Sequence, residues 1–76
     1  MNRERKERFN DVVLSLEDAY SELEDIQSEE EEAFDNLSEG LQMSERGESM
    51  QEWIDFIEET MEQIDAISMK IESKLR

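Results

Sequence analysis

The chain contains no cysteine, no histidine and no proline, and only two glycines in 76 residues. Without cysteine there is no disulfide framework and no thiolate zinc site. Without histidine, the commonest metal ligand, the usual general base and the ordinary pH switch are all missing. Long apolar runs are also lacking. No stretch approaches the ~18 residues of a membrane span, and the first residues have no apolar core of the signal-peptide type. A cytosolic chain with no membrane segment, no metal and no cofactor is the expectation. What is abundant is Glu, with Leu, Ile, Met, Lys and Arg beside it, which is a helix-forming composition.

Positive charge is scarce, and nearly all of it lies at the two ends. Arg3, Arg5, Lys6 and Arg8 open the chain and Lys70, Lys74 and Arg76 close it, leaving Arg46 as the one basic residue between. From Phe9 to Met69 there are twenty carboxylates against that single arginine. With a formal net charge of −15 and 41% charged residues, the composition sits near the border of disorder. Periodicity decides against it.

With Phe9 at heptad position a, Leu16, Leu23, Glu30 and Leu37 also fall at a, and Val12, Ala19, Ile26 and Ala33 fall at d. Position e adds Val13, Tyr20 and Phe34. A second frame puts Met50, Ile57, Ile64 and Ile71 at a, with Trp53, Thr60 and Ile67 at d. Ile54, Met61 and Leu75 then fall at e. Such repeats specify two amphipathic helices. Leu14, Phe56 and Met69 lie off both stripes, and Glu30, beside the connection, is expected to reach solvent.

The pattern breaks between Asp35 and Ser44. Helix 1 is therefore predicted over about residues 3–34, a loop over 35–44 and helix 2 over about 45–75, in one domain covering 1–76. Asn36 or Gly40 is expected to end helix 1 in the left-handed conformation, with Ser44 as N-cap of helix 2, or, in a later start, Ser49 with Glu52 at capping-box spacing. Gly47 would sit in the first turn of helix 2 at little cost. Two long helices with a short connection predict an antiparallel, coiled-coil-like hairpin. Its apolar stripes are wider than one two-stranded seam needs, so part of each would be left in water. A homodimer forming a four-helix bundle is the expected remedy.

The residue chemistry leaves little room for a reactive or metal site. Asp35 and Gly40 match positions 1 and 6 of a calcium loop, but Leu37 and Arg46 occupy positions 3 and 12, where ligands are required. Glu29 to Glu32 point around a helix axis and form no cage. Paired carboxylates need a partly dry pocket to serve as acid and base, and a thin hairpin offers none. No catalytic residue is therefore proposed, and an enzyme is not expected.

The acidic body is the feature that suggests a function. About 19 net charges over ~45 Å give ~0.4 per Å, against ~0.6 per Å for duplex DNA. Carboxylates on rigid helices could occupy a basic groove and release its counterions, as DNA does. Glu22, Asp25, Glu29 and Glu32 on helix 1 and Asp55, Glu59 and Glu62 on helix 2 are the candidate partner-binding residues. A basic protein surface is the expected partner, a nucleic-acid-binding protein being one example. Direct nucleic-acid binding is disfavoured by the charge of the body.

Residues 29–48, EEEEAFDNLSEGLQMSERGE, resemble the central motif of small acidic helical proteins of bacteriophages and prophages. The similarity extends over almost the whole chain: a basic start, a Glu-rich helix, an aromatic-Asp-Asn turn and a second acidic helix. In that pattern a proline often stands where Ser38 is. The resemblance implies recurrent positions at Phe34, Asp35, Asn36, Leu37, Ser44, Arg46 and Gly47, with Arg46 forming a loop-to-helix salt bridge. It also implies action in a host cytosol and raises the expectation of an inhibitor of a host or defence protein. A structural, assembly or scaffold protein, whose bundle interface is itself the function, is the alternative.

Overall fold

Three helices follow one another in the computed structural model, which describes residues 1–76 and contains no strand. They are α1 (Arg3–Asp35), the one-turn α2 (Glu39–Gln42) and α3 (Glu45–Leu75). The molecule is long and thin, 58 × 15 × 14 Å. Its radius of gyration is 17.3 Å, against ~11 Å for a compact domain of this length.

Local chemistry sets the helix boundaries. Asn2 caps α1, its side-chain oxygen accepting from the Arg5 amide at 2.9 Å. At the other end no residue takes the left-handed conformation, contrary to the expectation for Asn36 or Gly40. Asn36 stays right-handed, and its amide and that of Leu37 donate back to the Glu32 and Phe34 carbonyls. Ser38 then turns extended and starts α2, accepting from the Leu41 amide at 3.4 Å. A serine with its own capping hydroxyl thus breaks the chain without any positive φ.

The 35–44 segment is a structured connection containing α2. The Gln42 side-chain amide donates to the Phe34 carbonyl at 3.0 Å, a second donor on an oxygen that already accepts from the Leu37 amide, and so ties the connection to the end of α1. Ser44 occupies the N-cap position of α3, but its hydroxyl donates backward to the Leu41 carbonyl and makes no cap bond. Arg46 forms no salt bridge, contrary to the expected loop-to-helix pair. The ion pair in the structure is Arg3–Glu7 at 3.4 Å, at the exposed start of α1.

Gly40 lies within α2 with nothing within 4 Å of where a Cβ would stand and with no positive φ. Gly40→Ala is therefore expected to stabilise the chain by about 0.5–1 kcal/mol, by restricting the unfolded state. A higher urea midpoint with unchanged slope would show it; a lower midpoint would contradict it.

Contacts between α1 and α3 run in opposite directions along the two helices. The Gln27 side-chain amide donates to the Ile54 carbonyl at 3.3 Å and to the Glu58 carboxylate at 2.8 Å. Leu16 and Tyr20 share a groove with Ile64 and Ser68, and Phe9 shares another with Ile71 and Leu75. The contact thus moves down α1 as it moves up α3.

Burial defines the seam. On α1 and just beyond, Val13, Leu16, Tyr20, Leu23, Gln27, Glu30, Phe34 and Leu37 are buried or half-buried. On α3 the same holds for Gly47, Met50, Ile54, Ile57, Met61, Ile64, Ser68, Ile71 and Leu75, with Thr60 and Glu72 half-buried at the edges of that line. Both sets alternate steps of three and four residues, the spacing of a helix–helix seam. In the heptad frames above, the seam uses columns a and e, while column d lies on its flank. Val12, Ile26, Trp53 and Ile67 accordingly remain 41–57% exposed. Glu30, expected in solvent, is half-buried in the seam. The apolar core proper is small: Val13, Ile54, Ile57 and Met61.

Candidate functional site

A seam built on a and e gives the molecule two unlike faces. Because contacts run in opposite directions, residues just after a seam position on either helix share one face. Residues just before a seam position share the other.

The first face is acidic. Glu17, Glu24 and Glu31 follow Leu16, Leu23 and Glu30 at seven-residue intervals on α1. Glu58, Asp65 and Glu72 do the same behind Ile57, Ile64 and Ile71 on α3. Seven residues of helix advance ~10.5 Å, so these are two regular rows of anions flanking one groove. The groove floor is Leu16, Tyr20, Ile64 and Ser68, and its rims include Glu17, Asp65 and Glu72. Gln27 fixes Glu58 in place through the 2.8 Å hydrogen bond. The carboxylates lie in rows and do not converge on a point, and no group of three or more is arranged to hold a metal ion.

The second face is apolar. Val12, Ala19, Ile26 and Ala33 line it on α1, and Trp53, Thr60 and Ile67 on α3. Trp53 and Phe56 are 57% and 56% exposed and meet edge to face, with ring centroids 5.6 Å apart. Toward the termini this face becomes cationic. Lys6, Lys70 and Lys74 surround a groove lined by Phe9, Ile67 and Ile71, and Arg5 and Arg8 lie beside Phe9 and Val12.

Glu22, Asp25, Glu29, Glu32, Asp55, Glu59 and Glu62 are all exposed. Asp55 and Glu62, directly after the seam residues Ile54 and Met61, lie on the acidic side; Glu22 and Glu29, directly before Leu23 and Glu30, lie on the other side; and Asp25, Glu32 and Glu59 lie on the outer arcs, so the structure does not gather the seven into one surface. It gathers Glu17, Glu24, Glu31, Glu58, Asp65 and Glu72 instead. Those residues carry a readable signal, an acid directly after the a position in six heptad repeats, three on each helix.

In the connection, Phe34, Leu37 and Ser44 are half-buried and Gly47 is buried, while Asp35, Asn36 and Arg46 are exposed. Gly47 faces the Gln42 backbone, and Gln42 reaches the Phe34 carbonyl. The Gly47 contact packs α2 against α3, and the Gln42 hydrogen bond ties it to the end of α1.

No helix is long and apolar enough to cross a membrane. No family model matches the chain, and no curated protein or solved structure matches it either.

Proposed function

We propose that this chain is a non-enzymatic binding protein, an inhibitor of the phage type. In this reading, a helical hairpin pairs with a second copy into a four-helix bundle and engages a basic surface on a host or defence protein. Its place of action is the host cytosol. The observation that carries the reading is the segregation of charge. Six carboxylates stand in two straight rows on one face, with no basic residue among them. A mobile polyanion would lose conformational entropy on docking, whereas anions fixed on helices have already been ordered by folding. Their rows imitate the two phosphate edges of a groove, which is the sense in which the protein is a DNA mimic.

The test is capture from a host lysate at low salt on the immobilised chain, followed by elution in a salt gradient. The expected result is a basic protein that elutes steeply with salt and is displaced by duplex DNA. Replacing Glu17, Glu24, Glu31, Glu58 and Glu72 by Gln and Asp65 by Asn should weaken capture by about 100-fold or more while circular dichroism stays helical. Unchanged capture by that variant, or retention indifferent to salt, would contradict the reading.

The exposed Trp53–Phe56 pair favours a second reading, an assembly protein whose interface is the function. It predicts an assembled mass by light scattering that Phe56→Ala lowers and the six-carboxylate variant leaves unchanged, with no salt-sensitive capture of a basic protein.

A further inference from the structure

We propose that the apolar face is covered by a second copy of this chain packed end over end, so that the basic end of each copy lies against the acidic connection end of the other. The proposal deepens the reading above, and rests on it for the existence of a dimer. It specifies which face is used, in which direction, and which carboxylates remain free.

Area argues for a partner on this face. The chain exposes 6128 Å², against ~4,900 Å² for a globular monomer of 9.1 kDa. A flank of 58 by 15 Å offers on the order of 800 Å² per copy, the share of one partner in a standard interface. Trp53, Phe56, Ile67, Val12 and Ile26 are concentrated there, each at least 41% exposed. The opposite face, lined by its rows of carboxylates, would place like charges together if it were the one buried.

Charge then sets the direction. A twofold axis across the rods brings α1 against α1 of the second copy and α3 against α3, each pair running oppositely. A twofold axis along the rods instead puts both basic ends together. That would crowd Arg5, Arg8, Lys70 and Lys74 of one copy against the same four of the other, and stack both acidic connections. The end-over-end arrangement replaces both repulsions with attraction.

Side-chain size is compatible with this direction but does not select it, because the axis along the rods also sets small against large, as in Ala19 against Ile67; charge alone makes the choice. With the twofold near Thr60, Val12 falls opposite Ala33 and Ala19 opposite Ile26 of the second copy. Trp53 falls opposite Ile67, and Thr60 meets its own counterpart. On α1 every large residue meets a small one, the alternation that lets layers interdigitate. The two acidic faces point outward on opposite sides of the bundle, so one dimer presents two equivalent grooves to basic partners.

The chain has no native cysteine, so single cysteines report the geometry directly. Under mild oxidation Thr60→Cys should link to itself in more than half of the chains. Leu14→Cys, which is exposed on the acidic side, should stay unlinked. A mixture of Ala19→Cys with Ile26→Cys should form crossed dimers, whereas Ala19→Cys with Ile67→Cys should not. The unmodified chain provides a check free of mutation: light scattering should give twice 9.1 kDa, and dilution should red-shift the emission of the single tryptophan as Trp53 returns to water. A mass of one chain at 100 µM, linkage of Leu14→Cys equal to that of Thr60→Cys, or crossed dimers only with Ile67→Cys would each overturn the proposal. A monomer that still captures a basic protein would leave the functional reading standing. A dimer of the stated geometry with no capture would do the reverse.

Discussion

Replacing Gly47 by alanine is expected to cost about 2–3 kcal/mol, although alanine is the better helix former by ~1 kcal/mol. A Cβ at this position would fall onto the Gln42 carbonyl group and lie 2.7 Å from the Gln42 Cα. Those are backbone atoms and cannot swing aside as a side-chain tip would. Relief requires α2 to lift from the first turn of α3. Overpacking of this kind costs about 1–3 kcal/mol. Lifting α2 also withdraws Gln42 from the Phe34 carbonyl, a hydrogen bond worth ~1 kcal/mol. In a chain of this size the melting temperature should fall by about 10–15 °C, read by circular dichroism at 222 nm. A melting temperature unchanged within two or three degrees would show that α2 does not pack where the structure puts it.

Ile57→Ala should be at least as damaging, at about 3 kcal/mol. Ile57 is 5% exposed, between Ile54 and Met61 on the seam. So small a core has no reserve to absorb the cavity. Neither long helix is expected to persist alone, because isolated helices draw little stability from propensity and each of these carries unfavourable like charges. Loss of the seam should therefore remove most of the helical signal at once. Ile67→Ala is the informative comparison. Ile67 is 48% exposed on the apolar flank, so truncating it should cost the single chain under about 1 kcal/mol. Equal costs at the two positions, measured at concentrations low enough for the chain to be monomeric, would mean that the seam uses the d column after all.

The choice between columns also marks the limit of what the residues disclose by themselves. The helical nature of the chain is plain from heptads that, from Phe9 to Leu37, are interrupted once in nine a and d positions. Which columns face inward is not, because a, d and e are all apolar and either a with d or a with e makes a workable seam. Large residues such as Trp53 and Ile26 draw the eye to d. Gln27, Gly47 and Ser68 count against e in the bare sequence, and only the tertiary contacts, such as the Gln27 hydrogen bonds to Ile54 and Glu58, show how the seam accepts them. The choice of frame governs the candidate site, because turning each helix toward e gathers Glu17, Glu24, Glu31, Glu58, Asp65 and Glu72 beside one groove. It also scatters Glu22, Asp25, Glu29, Glu32, Asp55, Glu59 and Glu62 over both sides and the outer arcs of the molecule.

The connection is legible in place but not in mechanism. Asn36 and Gly40 have the chemistry for a left-handed turn, yet Ser38 caps a short right-handed helix and makes such a turn unnecessary. Gly47 shows only flexibility as a letter in the chain. Its close contact with Gln42 depends on where the tertiary fold brings a backbone five residues earlier, and no local pattern encodes that.

Both faces and the proposed binding require α1 and α3 to lie side by side in opposite directions, with both termini at one end. Spin labels on Arg3→Cys and Arg76→Cys, in a trace of doubly labelled chain diluted into unlabelled protein, measure this directly by pulsed electron resonance. The expected distance is under about 25 Å, since two packed helices lie ~10 Å apart and the labels add their own reach. A distance on the order of 100 Å, the length of one unbroken helix of this chain at 1.5 Å per residue, would contradict the fold, the faces and the function built on them.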